Sequence, residues 1–145
     1  MFYYAYMPKQ SVQFDFGDSK EPIEPFLLFE QIIEDRGSRY SVSTGRVTNR
    51  EEIQRFLKQL KAKKKYATAD HNSWAARISH QGAIYETKSD DGETGAGLVI
   101  LSVMQKQNVT NCIVCVTRWF GGTKLMNDRY KHIQNAAAYA LKHMN

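Results

Sequence analysis

The chain has 145 residues, 42% hydrophobic and 24% charged, which is enough to bury one core with little left for a second. No apolar run approaches the roughly 20 residues that a membrane helix needs, and Met1–Gln10 is aromatic and polar where a secretory signal would be basic and then aliphatic. A cytoplasmic chain without membrane contact is therefore expected. The formal charge of +5 conceals a skew: residues 1–35 hold Lys9 and Lys20 against seven acids, net −5, while residues 36–145 carry 18 basic and 8 acidic side chains, net +10. An excess of one sign on that scale favours anionic partners such as nucleic acid or acidic protein surfaces.

All three prolines, Pro8, Pro22 and Pro25, lie in the first 25 residues together with Tyr3, Tyr4, Tyr6, Phe14 and Phe16. This composition break divides an acidic, aromatic arm at 1–25 from a domain at 26–145. Gln31–Glu34 and Tyr40–Val47 read as a hairpin around the turn at 35–38. The TNRE sequence at 48–51 has capping-box spacing, predicting a helix that starts on Thr48 and Glu51. Ile53, Phe56, Leu57 and Leu60 supply its apolar stripe, and Lys58, Lys61, Lys63, Lys64 and Lys65 make its far side and end basic, a candidate surface for anionic partners. Ser73–Ser79 and Ala83–Thr87 form a second hairpin around Gln81 and Gly82. A short buried helix over Leu98–Gln105, a strand over Cys112–Thr117 and a last helix from Asp128, with Ile133, Ala136, Ala137, Ala140 and Leu141 on its packing face, complete the order β-β-α-β-β-α-β-α. Short alternating elements of this kind fit an α+β two-layer sandwich, a mixed sheet with helices on one face.

Cys112 and Cys115 have C-x-x-C spacing, but residues three apart on a strand point to opposite faces. The expectation is two buried reduced thiols with no metal. The second hairpin should bring Asp70, His71 and Asn72 beside 89–92, because antiparallel strands joined by a tight turn set their outer ends together. If Cys112–Thr117 runs parallel to Ala83–Thr87, the loop 118–127 reaches the same edge. The candidate constellation is then Asp70, His71, Asn72 and Arg77 with Asp90, Asp91, Gly92 and Glu93, joined by Arg118, Trp119, Gly121, Gly122, Lys124, Asp128 and Arg129. A phosphate cradle on the glycine-rich loop is opposed by its three acids. A metal set lacks a recognised spacing, and a hydrolase on His71 lacks a nucleophile elbow. The reading preferred here is that the acids pair with Arg118, Lys124 and Arg129 and cap helix starts, with no catalytic residue and no cofactor. His132 is expected to pair with Asp128 one turn away, and Trp74 and Trp119 to pack at the core or its rim.

Three segments in order, DHNSWAARI at 70–78, DDGETGAG at 90–97 and VTRWFGGTKL at 116–125, resemble the signature of the IMPACT/YigZ family over about residues 30–142. DRYKHI at 128–133 is similar to the eukaryotic IMPACT branch. The resemblance implies a fold like the second domain of ribosomal protein S-five and a non-enzymatic role in translational control. IMPACT proteins bind the ribosome-associated activator of the general-control kinase and compete with that kinase, and an actin link is known in the family. Full IMPACT proteins also carry an N-terminal RWD domain, for which this chain has no room. The alternatives kept beside that reading are an RNA- or ribosome-binding module, motivated by the basic domain, and a hydrolase using His71 with Asp90, Asp91 and Glu93.

Overall fold

The computed structural model describes residues 21–144 and the backbone of a two-residue strand, β1 (Tyr4–Ala5). The remaining strands are β2 (Phe26–Asp35), β3 (Ser38–Arg46), β4 (His71–His80), β5 (Ala83–Ser89) and β6 (Cys112–Trp119). The helices are α1 (Arg50–Lys61), α2 (Lys64–Ala67), α3 (Ala96–Lys106) and α4 (Asp128–His143). Most of the expected arm, up to residue 20, lies outside the described residues. Ile23, near its end, is buried in the core, where the Gln59 side-chain oxygen accepts from its backbone N–H at 2.9 Å.

The α+β architecture expected from the sequence is present, with two corrections. Every strand pair is antiparallel, in the order β1-β2-β3-β6-β4-β5, so the sheet is not mixed. β6 inserts between β3 and β4, and strands that run parallel never become neighbours. The helices cover both faces, because successive residues of the central strands point to opposite faces and β6 is buried on both, so each face needs its own cover. Leu27, Phe29, Tyr40, Val42, Val114 and Val116 pack on α3 and α4 through Ile100, Met104, Ile133 and Ala137. Leu28, Ala76, Ile78, Ile113 and Cys115 pack on Ile53, Phe56 and Leu60 of α1 and Tyr66 of α2. The connections β3-α1-β4 and β5-α3-β6 each span one intervening strand. Strand direction and displacement both reverse between them while the helices lie on opposite faces, so one of the two crossovers is left-handed.

Local chemistry explains where the elements begin. The α1 cap is Asn49, one residue later than the expected Thr48: its side chain accepts the Glu52 N–H at 2.8 Å, and Glu52 accepts the Thr48 N–H at 2.7 Å. The forward bond of the box is present but shifted by one, with Asn49 and Glu52, while the Glu52 carboxylate reaches back to Thr48, the residue before the cap. β2 begins at Phe26, earlier than the expected Gln31, and a bulge between Phe29 and Ile33 with Gln31 at φ 50 breaks its alternation. Leu98, expected inside, is exposed on α3, while Leu101, Val103 and Met104 are buried. Cys112 and Cys115 face opposite cores as free thiols. Burial pushes them up to about 11 and about 12, so neither is a thiolate at neutral pH.

Candidate functional site

β6 runs antiparallel to β4, and β4 antiparallel to β5, so the end of β6 meets the start of β4 and the end of β5. In register, His71 lies opposite Arg118 and Asn72 opposite Thr117, while Trp74 lies opposite Ser89. The three loops expected at one edge are therefore together. Arg77 is not with them. It lies opposite Cys112 at the far end of β4, where its Nε donates to Glu86 at 2.9 Å and its Nη1 to the Val109 carbonyl at 3.0 Å. It is six steps along the strand from His71, about 20 Å at the usual rise per residue.

At the loop edge each carboxylate meets a local donor. Asp70 accepts the Phe120 N–H at 2.7 Å, and its own N–H donates to the Arg118 carbonyl. Asp90 accepts from the N–H groups of Gly95 at 3.0 Å and Gly97 at 2.8 Å, tying the loop to the start of α3. These two backbone donors, Gly95 first, hold its carboxyl below the usual range. Asp91 accepts the Asn72 N–H at 2.7 Å, and His71 Nδ1 donates to the Asp91 carbonyl at 3.0 Å. Glu93 forms an ion pair with Arg118 at 2.6 Å, the two side chains only 2% and 6% exposed. Of the expected pairings with Arg118, Lys124 and Arg129, only Glu93–Arg118 is present among the described residues, while Asp70, Asp90 and Asp91 bind backbone N–H groups. Lys124 is exposed with no acid beside it among the described residues, and Arg129 donates to the Tyr130 hydroxyl at 2.8 Å.

Asp128 and His132 also separate rather than pair. Arg36 takes Asp128 at 2.6 Å, and His132 takes Asp35 at 2.7 Å, because the β2–β3 turn lies against the start of α4 and offers Asp128 a guanidinium and the His132 Nε2 a carboxylate. Two residues that pattern reading passed over complete the edge. The Ser38 hydroxyl accepts from Arg118 at 3.3 Å and from the Gly121 N–H at 3.1 Å. Tyr130 donates to the Thr94 carbonyl at 2.9 Å. As a serine in a turn and a tyrosine on a helix, neither carries a spacing signal. Gly121 runs so close to Gly37 that a Cβ there would lie 2.0 Å from the Gly37 carbonyl carbon, while Gly122 supplies a positive φ of 96.

The exit of β6 also separates two surfaces. Arg118 belongs to the α3/α4 face and borders a cleft of about 430 Å³ shared with His71, Lys124 and Arg129. Trp119 points to the other face, where its ring meets Tyr66 edge-on at 5.1 Å and its Nε1 donates to the Lys65 carbonyl at 3.1 Å. The Lys65 ammonium stands 5.3 Å from the same ring. Asn72 clamps α2 from beneath, donating to the Tyr66 carbonyl at 2.9 Å while Thr117 donates to its amide oxygen at 2.7 Å. Lys58, Lys61, Lys63, Lys64 and Lys65 are all exposed around this point. Burial first, then the Lys65 charge, lowers the Lys63 ammonium from its ordinary value.

A sheet covered on both faces, with loops locked by ion pairs and backbone bonds beside a lysine-rich rim, defines an α+β domain with a rigid loop edge and a basic surface. The family described as Impact N-terminal domain matches residues 36–141, and the chain belongs to it. It is 37% identical over 133 residues to Protein IMPACT-B of Xenopus tropicalis, covering 90% of this chain and 42% of that protein. It is 40% identical over 124 residues to the Protein IMPACT homolog of Saccharomyces cerevisiae, covering 83% and 48%. The chain thus spans less than half the length of these curated relatives. Among solved structures, that of the two-domain translational regulator Yih1 matches with a TM-score of 0.57 and 37% identity, over 85% of this chain and 48% of that one. A crystal structure of a hypothetical protein matches with a TM-score of 0.68 at 22% identity, over 81% and 61%, and speaks for the fold alone.

Proposed function

We propose that this domain is a non-enzymatic, protein-binding module of translational control, working in the cytoplasm as part of a stress response. Its partner in this reading is the ribosome-associated activator of the general-control kinase. Membership of the Impact family and the likeness to a structure named a translational regulator support the role. The observation that carries the binding mode is the exposed lysine run at the end of α1 and in α2, where the Lys65 ammonium stands over the fixed Trp119 ring. A positive, rigid surface of this kind steers and orients an acidic partner. The non-enzymatic reading draws on the loop acids: Asp90 and Asp91 face backbone donors and Glu93 faces Arg118, so none is left to activate a water beside His71.

Affinity capture from a native lysate at low salt is expected to recover the kinase activator, with ribosomes through it. Recovery of neither would contradict the reading. RNA is the second partner class that the lysines suit. Binding to a mixed RNA pool that falls steeply with salt would favour it, and a flat response would remove it. The actin link of the family is tested in the same capture by the presence or absence of actin.

A further inference from the structure

The three acids of the 90–93 loop oppose an anion when read from the sequence, but in the folded chain Asp90 and Asp91 do not border the cleft, and Glu93, which does, is paired with Arg118. Asp90 and Asp91 are held by backbone N–H groups, and the direct ion pair of Glu93 is with Arg118, its charge reaching Arg129 only at longer range. Asp70 is bound to the Phe120 N–H and Asp128 to Arg36, so every acid around the cleft has a partner. Lys124 and Arg129 also border the cleft and have no acid paired with them among the described residues. The cleft therefore holds an excess of positive charge beside a guanidinium fixed in its wall. Arg118 is 5% exposed, and its ion pair and the Ser38 contact leave its buried Nε without a hydrogen-bond partner among the described residues. His71 donates from Nδ1 to a carbonyl, so its Nε2 is the ring nitrogen free for another partner.

We propose that this cleft binds the phosphate of a monoester, held by Lys124 and Arg129 and bordered by Arg118 and His71. Two cations without a direct ion pair among the described residues match a dianion better than a single carboxylate, and guanidinium geometry suits phosphate oxygens. The volume of about 430 Å³ lies in the range of small-ligand sites and exceeds what a bare ion needs. Phe120 and Met126, which also border it, are exposed and offer an apolar rim to the rest of the ester. The site is separate from the α1–α2 lysines, since Arg118 and Trp119 point to opposite faces of the sheet.

The test is an amide NMR titration of the full chain with inorganic phosphate, glycerol phosphate and a blocked phosphoserine at constant ionic strength. Saturable shifts at Gly92, Lys124 and Asn127 are expected. Affinity should fall at least tenfold in K124A and in K124A/R129Q and stay within twofold in K63A/K64A/K65A. Lys124 is exposed, so K124A should keep the wild-type melting temperature. Equal affinity for the two esters assigns the site to small molecules, and a tenfold preference for phosphoserine assigns it to a modified side chain of a partner. Shifts that never saturate, that centre on Lys63–Lys65, or that survive K124A/R129Q would overturn the proposal. Loss of lysate capture in the lysine variant with phosphate binding intact would leave this site standing apart from the partner surface.

Discussion

The two surfaces at the end of β6 use the same side chains to opposite ends. On the α3/α4 face, Arg118 is buried and its charge is cancelled by Glu93, with Tyr40 5.5 Å beneath the guanidinium. On the α1/α2 face, Lys58, Lys61, Lys63, Lys64 and Lys65 are exposed, and Lys65 lies 4.0 Å from Glu30 and over the Trp119 ring. A buried charge must be paired, and once paired it fixes geometry. Exposed lysines add little to stability, and their charge stays at the surface. Charge alone therefore does not mark function in this chain, since its position relative to the sheet decides which role it takes.

The contrast should break most visibly at the buried pair. Arg118→Met or Glu93→Ala leaves an uncompensated charge inside and is expected to cost about 3–5 kcal/mol in urea unfolding. Replacing both with apolar residues should recover much of that loss. Gly121→Ala comes next: the new Cβ meets Gly37 and Ser38 backbone at 2.0 and 2.3 Å, neither of which can yield as a side chain does. A cost of about 2–3 kcal/mol, read as a lower thermal midpoint, is expected.

Smaller effects come from the caps. Asn49→Ala should cost about 1 kcal/mol through the lost bond to the Glu52 N–H. Asp90→Asn tests the loop by pH. Because the folded carboxyl sits below its ordinary value, its contribution is present above the ordinary carboxylate range and is lost as pH falls through the depressed value. The variant should be less stable than wild type at pH 7, by about 1 kcal/mol, and the difference should shrink as both are taken into acid in urea unfolding at stepped pH. A constant difference would mean that the bond geometry, and not the charge, carries the effect.

What the sequence made readable follows from periodicity and local chemistry. The stripe Ile53, Phe56, Leu60 and the hairpin around Gln81 and Gly82 are local, and both are present. The meeting of the three loops followed from strand direction, which β6 obeys although β4 separates it from β5. Arg77 was misplaced because a motif is contiguous in sequence while a strand carries its two ends to opposite edges of the sheet. The second helical layer went unread because strands covered on both faces lose their polar alternation, as the fully buried run Cys112–Arg118 shows. The partners of Asp128 and His132 depend on a turn more than ninety residues away in the chain, and no local spacing encodes that meeting.

The smallest structural effect belongs to the exposed surface. Replacing Lys63, Lys64 and Lys65 by Ser should change stability by no more than about 0.5 kcal/mol. The direct comparison is capture of the kinase activator from native lysate by wild type, by K63S/K64S/K65S and by D90N. The expectation is that the lysine variant keeps its melting temperature and loses the partner, while D90N loses stability and keeps the partner. Undiminished capture by the lysine variant, or loss of capture in a folded D90N, would contradict it.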